Sequence, residues 1–100
     1  MKLQVGQTLH SSVDDTTVIV IRAPEGDVVV TCGGEPMTEA KPGALSESHP
    51  DAQEGALLGK RYVEDAIGLE LLCTKAGEGT LAVDGTALPI KDAKPLPSSD

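Results

Sequence analysis

The stretch GLELLCTKAGEGTLAVDGTALPI, residues 68–90, decides the fold of this chain. Its two apolar runs, residues 69–73 and 80–83, flank a segment that contains Gly77 and Gly79. Leucine, valine and threonine on both sides of a glycine-containing segment are typical of a β-hairpin. We therefore predict a hairpin in which AGEG is the turn. A phosphate-binding loop would need a Lys-Ser/Thr pair and a following helix, and the sequence indicates neither here.

An earlier segment, residues 18–37, repeats this pattern at an offset of 51 residues. Gly26 aligns with Gly77, and each copy ends on a glycine placed three residues before Met37 or Leu88. One such hairpin is too small to bury its own apolar face, whereas two copies packed about a pseudo-twofold axis would bury it. Two unrelated hairpins could align as well, but the shared ending favours a duplication.

The predicted organisation follows from this repeat. Residues 1–37 form a first β-hairpin lobe, 38–58 a linker, 59–91 a second β-hairpin lobe and 92–100 a flexible C-terminal tail. Within the first lobe, residues 2–5 are predicted as an edge strand and residues 7–15 as a loop. The predicted fold class is mainly β, with two small hairpin lobes packed as a pseudo-twofold repeat.

Composition limits the classes of partner. The chain has 100 residues and a formal net charge of −8. It contains no Phe or Trp, and Tyr62 is its single tyrosine. A small core built from aliphatic side chains often needs a metal, a disulfide or a partner subunit. The acidic balance argues against nucleic acid and anionic membranes, which require a basic surface. Residues 1–12 lack the apolar region of a signal peptide, so we expect a cytoplasmic protein. We also expect a protein partner, and a second copy of the chain is one candidate.

The two cysteines, Cys32 and Cys73, leave three interpretations open: buried free thiols, one disulfide between the lobes, or a metal or redox role. A composite metal site would have to add His10 and His49, and no pair of these residues has ligand spacing. Lys75 could lower the pKa of the Cys73 thiol, but nothing in the sequence marks a partner histidine or an oxyanion hole. We predict that the protein is not an enzyme.

The tripeptide Lys60, Arg61 and Tyr62 is the one basic cluster that includes an aromatic residue. Tyrosine and arginine are favoured in the energetically dominant part of protein interfaces, so these residues are the predicted interaction site. The alternative is an edge strand whose charges prevent pairing with other chains.

Two segments carry a resemblance to a known family. The segment YVEDAIGLELL, residues 62–72, and the ending CGGEPM, residues 32–37, resemble the desulforedoxin family and its rubredoxin-like hairpins. The family pattern is Tyr-x-Cys-x-x-Cys-Gly, an apolar strand, a glycine turn such as AGEGTL, and Cys-Cys-Gly-x-Pro-Met. The resemblance implies small hairpin lobes, tetrahedral iron held by four cysteines and a homodimer in the free-standing module.

The chain departs from that family at the metal ligands. The pattern places cysteines at Glu64, Ile67, Val83 and Asp84 in the second copy, and near Val13 and Thr16 and at Cys32 and Gly33 in the first. Only Cys32 is a cysteine. A tetrahedral site needs four nitrogen or sulfur donors, so the resemblance implies the scaffold with no metal and no cofactor. The expected function is a non-catalytic accessory or protein-interaction module. The alternative is a metal-binding or electron-transfer protein that uses the remaining cysteines.

Overall fold

The computed structural model describes residues 2–40, 43, 47, 50 and 52–91. Within these residues the regular structure consists of short β-strands, and no α-helix is present. The mainly β prediction is therefore confirmed. The strands are β1 (Thr8–His10), β2 (Thr17–Arg22), β3 (Val30–Cys32), β4 (Glu35–Pro36), β5 (Arg61–Glu64), β6 (Leu69–Lys75), β7 (Leu81–Val83) and β8 (Thr86–Ala87).

The strands form two antiparallel four-stranded sheets. The first sheet has the order β1-β2-β6-β5 and the second has the order β4-β3-β7-β8. Each repeat contributes two neighbouring strands to each sheet, and the repeats meet where β2 pairs with β6 and β3 pairs with β7. The two halves of the chain are thus joined through the centre of both sheets.

The hairpins are real, but they join different strands from those predicted. The apolar runs of residues 68–90 become β6 and β7, which lie in different sheets and do not pair with each other. The tight hairpins are β3–β4 and β7–β8, which turn at Gly33-Gly34 and Asp84-Gly85. All four of these residues have positive φ, at 65°, 86°, 48° and 84°. A two-residue turn with positive φ at both positions matches the right-handed twist of its strands.

The register of the sheets reproduces the offset of 51 residues found in the sequence. Val20 pairs with Leu71 in the first sheet, and Thr31 pairs with Ala82 in the second, so each of these pairs joins equivalent positions of the two repeats. The hydrogen bond from Met37 N to the Val30 carbonyl (2.8 Å) recurs as the one from Leu88 N to the Leu81 carbonyl (2.9 Å). The predicted pseudo-twofold arrangement is therefore present.

One core lies between the sheets and draws on both repeats. Inward positions alternate along the central strands, as expected of a sheet with one solvated face. The fully buried side chains with the largest volumes include Leu9, Leu69, Leu71, Leu81 and Val18. Full burial of such aliphatic side chains contributes about 1.5–3 kcal/mol each. The scarcity of aromatic residues is thus met by many aliphatic ones, to which Tyr62 adds a single buried ring.

Some predicted boundaries differ from those observed. Residues 2–5 are not a strand, and β1 lies inside the segment predicted as a loop. The edges of the first sheet are covered by backbone contacts, because His10 bridges to Thr38 and Tyr62 bridges to Ile90. Part of the predicted linker and all of the predicted tail, residues 92–100, lie outside the described residues. The proposed lobe boundaries stay a prediction.

Candidate functional site

The two thiols are buried inside the fold. Cys32 lies on β3 and Cys73 lies on β6, and both are free. Burial is the largest influence on the Cys32 thiol and raises its pKa. Hydrogen bonds with the Ser11 and Thr16 side chains lower the pKa and the Asp14 carboxylate raises it, so the net change is upward. Burial likewise raises the pKa of Cys73, whose Sγ donates to the Lys75 carbonyl at 3.1 Å. Both thiols are thus protonated at neutral pH, and a protonated thiol is a poor nucleophile and a poor metal ligand.

We expect both thiols to resist modification in the folded protein. At pH 8 a thiol reagent such as dithiobis-nitrobenzoate should react about a hundredfold more slowly with the native chain than with the chain in urea, because reaction requires local opening. The absorbance of released thionitrobenzoate measures both rates. A native rate equal to the denatured rate at either cysteine would contradict the burial described here.

The composite metal site of the sequence analysis is not assembled in the part of the chain that the structure describes. There, no group of three or more His, Cys, Asp and Glu side chains is placed to hold a metal ion. His10 lies on β1, where its backbone pairs with Thr38. His49 lies outside the described residues.

The predicted interaction residues fall into two environments. Lys60 and Arg61 are exposed, whereas Tyr62 retains only 4% of its surface and belongs to the core. The Tyr62 hydroxyl accepts a hydrogen bond from Leu57 N at 2.9 Å. The tyrosine therefore supports the preceding segment from inside, and its ring is not presented to a partner.

That segment is an ordered turn at residues 57–60, called the leucine turn below. Lys60 N donates to the Leu57 carbonyl at 3.2 Å, and Gly59 has a φ of 78°, as a glycine in a tight turn allows. Gly59 N donates to the Cys73 carbonyl at 2.8 Å, which ties the turn to the end of β6. Leu57 and Leu58 are nevertheless 54% and 65% exposed. A fixed backbone thus presents two adjacent leucines to solvent.

A pocket of about 200 Å³ lies beside the leucine turn. Leu57 lines it together with Tyr62, Leu88 and Ile90. Ile90 is itself 37% exposed. The apolar surface at the turn therefore continues from Leu57 into a shallow recess whose lining also includes the polar residues Glu54 and Thr80.

A second group, called the Asp14 cluster, joins the two repeats. It comprises Ser11, Asp14, Thr16 and Cys32. Asp14 Oδ2 accepts hydrogen bonds from Glu78 N and Gly79 N, both at 2.8 Å, and Oδ1 accepts one from Thr16 N at 2.9 Å. A loop of the first repeat thus fixes the glycine segment of the second.

The electrostatics of the Asp14 cluster follow from these contacts. Burial acts to raise the pKa of Asp14, but hydrogen bonds from the Thr16 side chain and from the backbone of Thr16 and Gly79 outweigh burial and lower the pKa. The Thr16 hydroxyl is buried beside the carboxylate. Two members of the cluster, Thr16 and Cys32, lie at or near positions to which the desulforedoxin resemblance assigns ligands in the first repeat. Asp14 is the neighbour of a third such position, Val13, and its carboxylate is bonded to backbone amides.

A third group, called the Glu70 cluster, lies on the outer face of the first sheet. Glu70 on β6 points away from the core, yet its side chain is only 3% exposed. Three cationic groups cover it: Lys91 Nζ at 3.1 Å and Arg22 Nε at 3.7 Å from Oε1, and Arg61 Nη1 at 3.4 Å from Oε2. Arg22 Nη2 also contacts Asp65 Oδ1 at 3.1 Å. The cluster collects three separate segments of the chain around one carboxylate.

Sequence reasoning found Arg61 but missed its surroundings. Glu70 interrupts an otherwise apolar run, LELLC, and an acidic residue at an alternate position of a strand is a signal for an outward carboxylate. The partners Arg22 and Lys91 are far from Glu70 in sequence: the β2–β6 pairing places Arg22 opposite Glu70, and the bridge between Tyr62 and Ile90 brings Lys91 beside β5. The exposed leucines had a local signal, since Leu57-Leu58 precedes the Gly59 turn.

Comparison with known proteins adds no assignment. No family model matches the chain, and neither a curated protein nor a solved structure matches it. None of the described segments forms a helix long and apolar enough to span a membrane.

Proposed function

We propose that this protein is a non-catalytic protein-interaction module whose contact surface is the leucine turn, which ends at Lys60, together with the adjoining Arg61. The exposed pair Leu57 and Leu58 carries this proposal. Large aliphatic side chains held at the surface by an ordered backbone are unfavourable in water and favour burial against a partner. The turn is held by hydrogen bonds at both ends, so binding needs little ordering of the backbone.

The charges beside the leucines fit the same proposal. An interface commonly has an apolar centre and a polar rim, and arginine is enriched among its residues. Arg61 follows the turn by one residue and is exposed on the outer face of the first sheet. The outer edge of β5 is already bonded, since Lys91 N donates to the Arg61 carbonyl at 2.7 Å. Contact therefore uses side chains, and addition of a strand at β5 is not required.

The desulforedoxin-like scaffold is part of the proposal. It is supported by the residues of the resemblance and by the pseudo-twofold pairing of the repeats. The buried, protonated thiols disfavour Cys73 as a nucleophile and favour the interaction role over thiol chemistry. Two free cysteines also suit a reducing compartment, so we propose that the protein acts in the cytoplasm.

Replacing Leu58 by aspartate tests the proposal. We expect capture of the specific partner on immobilised protein to fall at least tenfold, because truncating a central apolar contact costs about 2 kcal/mol or more. The unfolding midpoint should change little, since Leu58 is 65% exposed. Quantitative mass spectrometry of captured proteins, followed by binding of the purified partner, measures the effect. Sedimentation of the purified chain covers the case in which the partner is a second copy.

The control is Val5→Asp. Val5 is 70% exposed and lies outside the leucine turn, so this variant introduces the same charge at a comparable apolar surface residue. It should retain the partner within about twofold, as a change remote from the contact does. Equal recovery by the Leu58→Asp variant and the wild type would show that the leucine turn is not the contact surface.

A further inference from the structure

We infer that the Glu70 cluster binds carboxylate groups of an acidic segment on the protein partner. This inference rests on the proposed interaction function and specifies the chemistry of the partner. The cluster is defined by Arg22, Arg61 and Lys91 around the buried Glu70. It continues directly from the leucine turn through Lys60 and Arg61.

The cluster holds more positive charge than its buried acid requires. A buried carboxylate needs a counter-charge, and one well-placed cation supplies it. Here three cations contact Glu70, while Asp65 pairs with Arg22 and is 83% exposed. Among the described residues, three positive charges therefore face two negative ones, on a chain whose formal net charge is −8. Stability of Glu70 alone does not account for this excess.

The cations also keep hydrogen-bonding capacity that faces solvent. Their side chains are 49%, 55% and 51% exposed for Arg22, Arg61 and Lys91. A guanidinium has five N–H donors in a fixed planar arrangement that matches a carboxylate, and within the described part of the chain Arg61 uses one nitrogen, Nη1, at 3.4 Å on Glu70. Glu70 thus fixes the positions of the cations while leaving donors available. Fixed positions reduce the side-chain ordering that binding would otherwise require.

The balance of local and overall charge selects the ligand. The overall negative charge repels an extended polyanion such as nucleic acid or an anionic membrane. At physiological ionic strength, charges beyond about 8 Å are largely screened, so the field at the cluster is set by its own cations. A short acidic segment, which places only a few carboxylates at this surface, is attracted there. Charge complementarity of this kind increases association rate and specificity.

The two arginines of the chain both belong to the cluster, which makes the test direct. Their Nε–Hε signals in a ¹H–¹⁵N NMR spectrum report on Arg22 and Arg61 alone. The probe is an acetylated and amidated hexaglutamate peptide, added to the full chain at physiological ionic strength, where the remaining acidic surface is screened. We expect saturable shifts of both arginine signals, which weaken as salt is added. A hexalysine peptide should leave both signals unchanged.

Charge-removing variants give the second part of the test. Arg61→Gln and Lys91→Gln should each weaken peptide binding about tenfold, as loss of a charge-assisted hydrogen bond does. Lys75→Gln removes the same charge from another exposed lysine and should leave the affinity within about twofold. The remaining arginine signal and the backbone spectrum show that each variant is folded. Equal weakening by Lys75→Gln would indicate a general charge effect and overturn the inference.

Inorganic phosphate separates an acidic segment from a general anion site. The inference predicts that phosphate shifts the arginine signals only at much higher concentration than the peptide does. Phosphate binding as tight as that of the peptide, or no arginine response to the peptide, would overturn it. If the peptide fails while Leu58→Asp still loses the partner, the interaction function stands without an acidic partner. If the peptide binds while Leu58→Asp keeps the partner, the leucine turn is the part that fails.

Discussion

Replacing Asp14 by alanine should lower the free energy of unfolding by about 3 kcal/mol. Its carboxylate accepts hydrogen bonds from the backbone N–H groups of Thr16, Glu78 and Gly79 at 2.8–2.9 Å. Charged acceptors contribute about 1.5–3 kcal/mol per hydrogen bond, and a buried donor left without a partner adds a cost. Gly79 is buried, so its N–H cannot turn to water once the carboxylate is gone. Urea unfolding followed by circular dichroism measures the loss.

Two further variants separate this contact from the change in charge. Asp15→Ala removes the same charge from the exposed neighbouring residue, and it should alter stability by less than about 0.5 kcal/mol. Asp14→Asn keeps one carbonyl oxygen but places an amide N–H₂ against backbone donors, so it should be destabilised nearly as much as the alanine variant. Similar losses for Asp14→Ala and Asp15→Ala would show that net charge, and not the hydrogen bonds, is responsible.

The contribution of Asp14 should depend on pH with a defined sign. Its pKa in the folded protein lies below the ordinary value of 3.8, which describes the unfolded chain. The stabilisation is therefore fully present above the unfolded value and is lost as the pH falls through the lower folded value. We expect the difference between wild type and Asp14→Ala to be constant from pH 7 to 5 and to shrink below pH 4. A difference that stays constant to the acid limit would contradict the lowered pKa.

Alanine at Gly77 should destabilise the fold by a similar amount, about 3 kcal/mol, because an added methyl group has no space. A Cβ at this position would overlap the Thr16 Oγ1 atom and lie 2.6 Å from Asp14 Oδ2. The backbone cannot move away freely, since Gly77 exchanges hydrogen bonds of 2.9 and 3.2 Å with Ala56. The Asp14 side chain is likewise held by its backbone donors. Thermal and urea unfolding of the variant measure the effect.

The duplication supplies the matched control for this substitution. Gly26 is the equivalent of Gly77 in the first repeat, and apart from its chain neighbours no atom of the described residues lies within 4 Å of a Cβ placed there. Neither glycine has a positive φ, so both backbones accept alanine. Gly26→Ala should leave stability unchanged or raise it by up to about 1 kcal/mol, through the reduced entropy of the unfolded chain. Equal losses in both variants would mean that the Asp14 cluster does not confine Gly77.

Local sequence predicted the positions of several strands but not how those strands pair. The apolar runs 69–73 and 80–83 identified the strands β6 and β7 within one or two residues, and the offset of 51 located the pseudo-twofold relation. The predicted pairing of β6 with β7 was wrong, because hydrophobic periodicity and β-propensity do not determine which neighbouring strand a given strand pairs with. A usable signal was present: Gly33-Gly34 and Asp84-Gly85 are the dipeptides of tight hairpins.

The candidate sites were less predictable for the same reason. Lys60 and Arg61 are exposed as expected. Tyr62 is buried because successive side chains of a strand point to opposite faces, so Tyr62 faces the core where Arg61 faces outward. Asp14 was placed in a polar loop, and nothing local shows that it binds a segment more than 60 residues away. Glu70 acquires its cations from two strands and a later segment. Contacts between residues so far apart in sequence are determined by the order of the strands in the sheets.

The central pairings of both sheets also set how the chain reaches this structure. Val20 with Leu71 and Thr31 with Ala82 join residues that are far apart along the chain. Closing loops of this length loses conformational entropy before any contact stabilises the product. The short hairpins β3–β4 and β7–β8 can form on the microsecond scale, whereas domains dominated by distant β pairings fold in about milliseconds to seconds. The step that joins the repeats is therefore the slow one, and until it occurs the inward leucines and valines of both halves remain open to water.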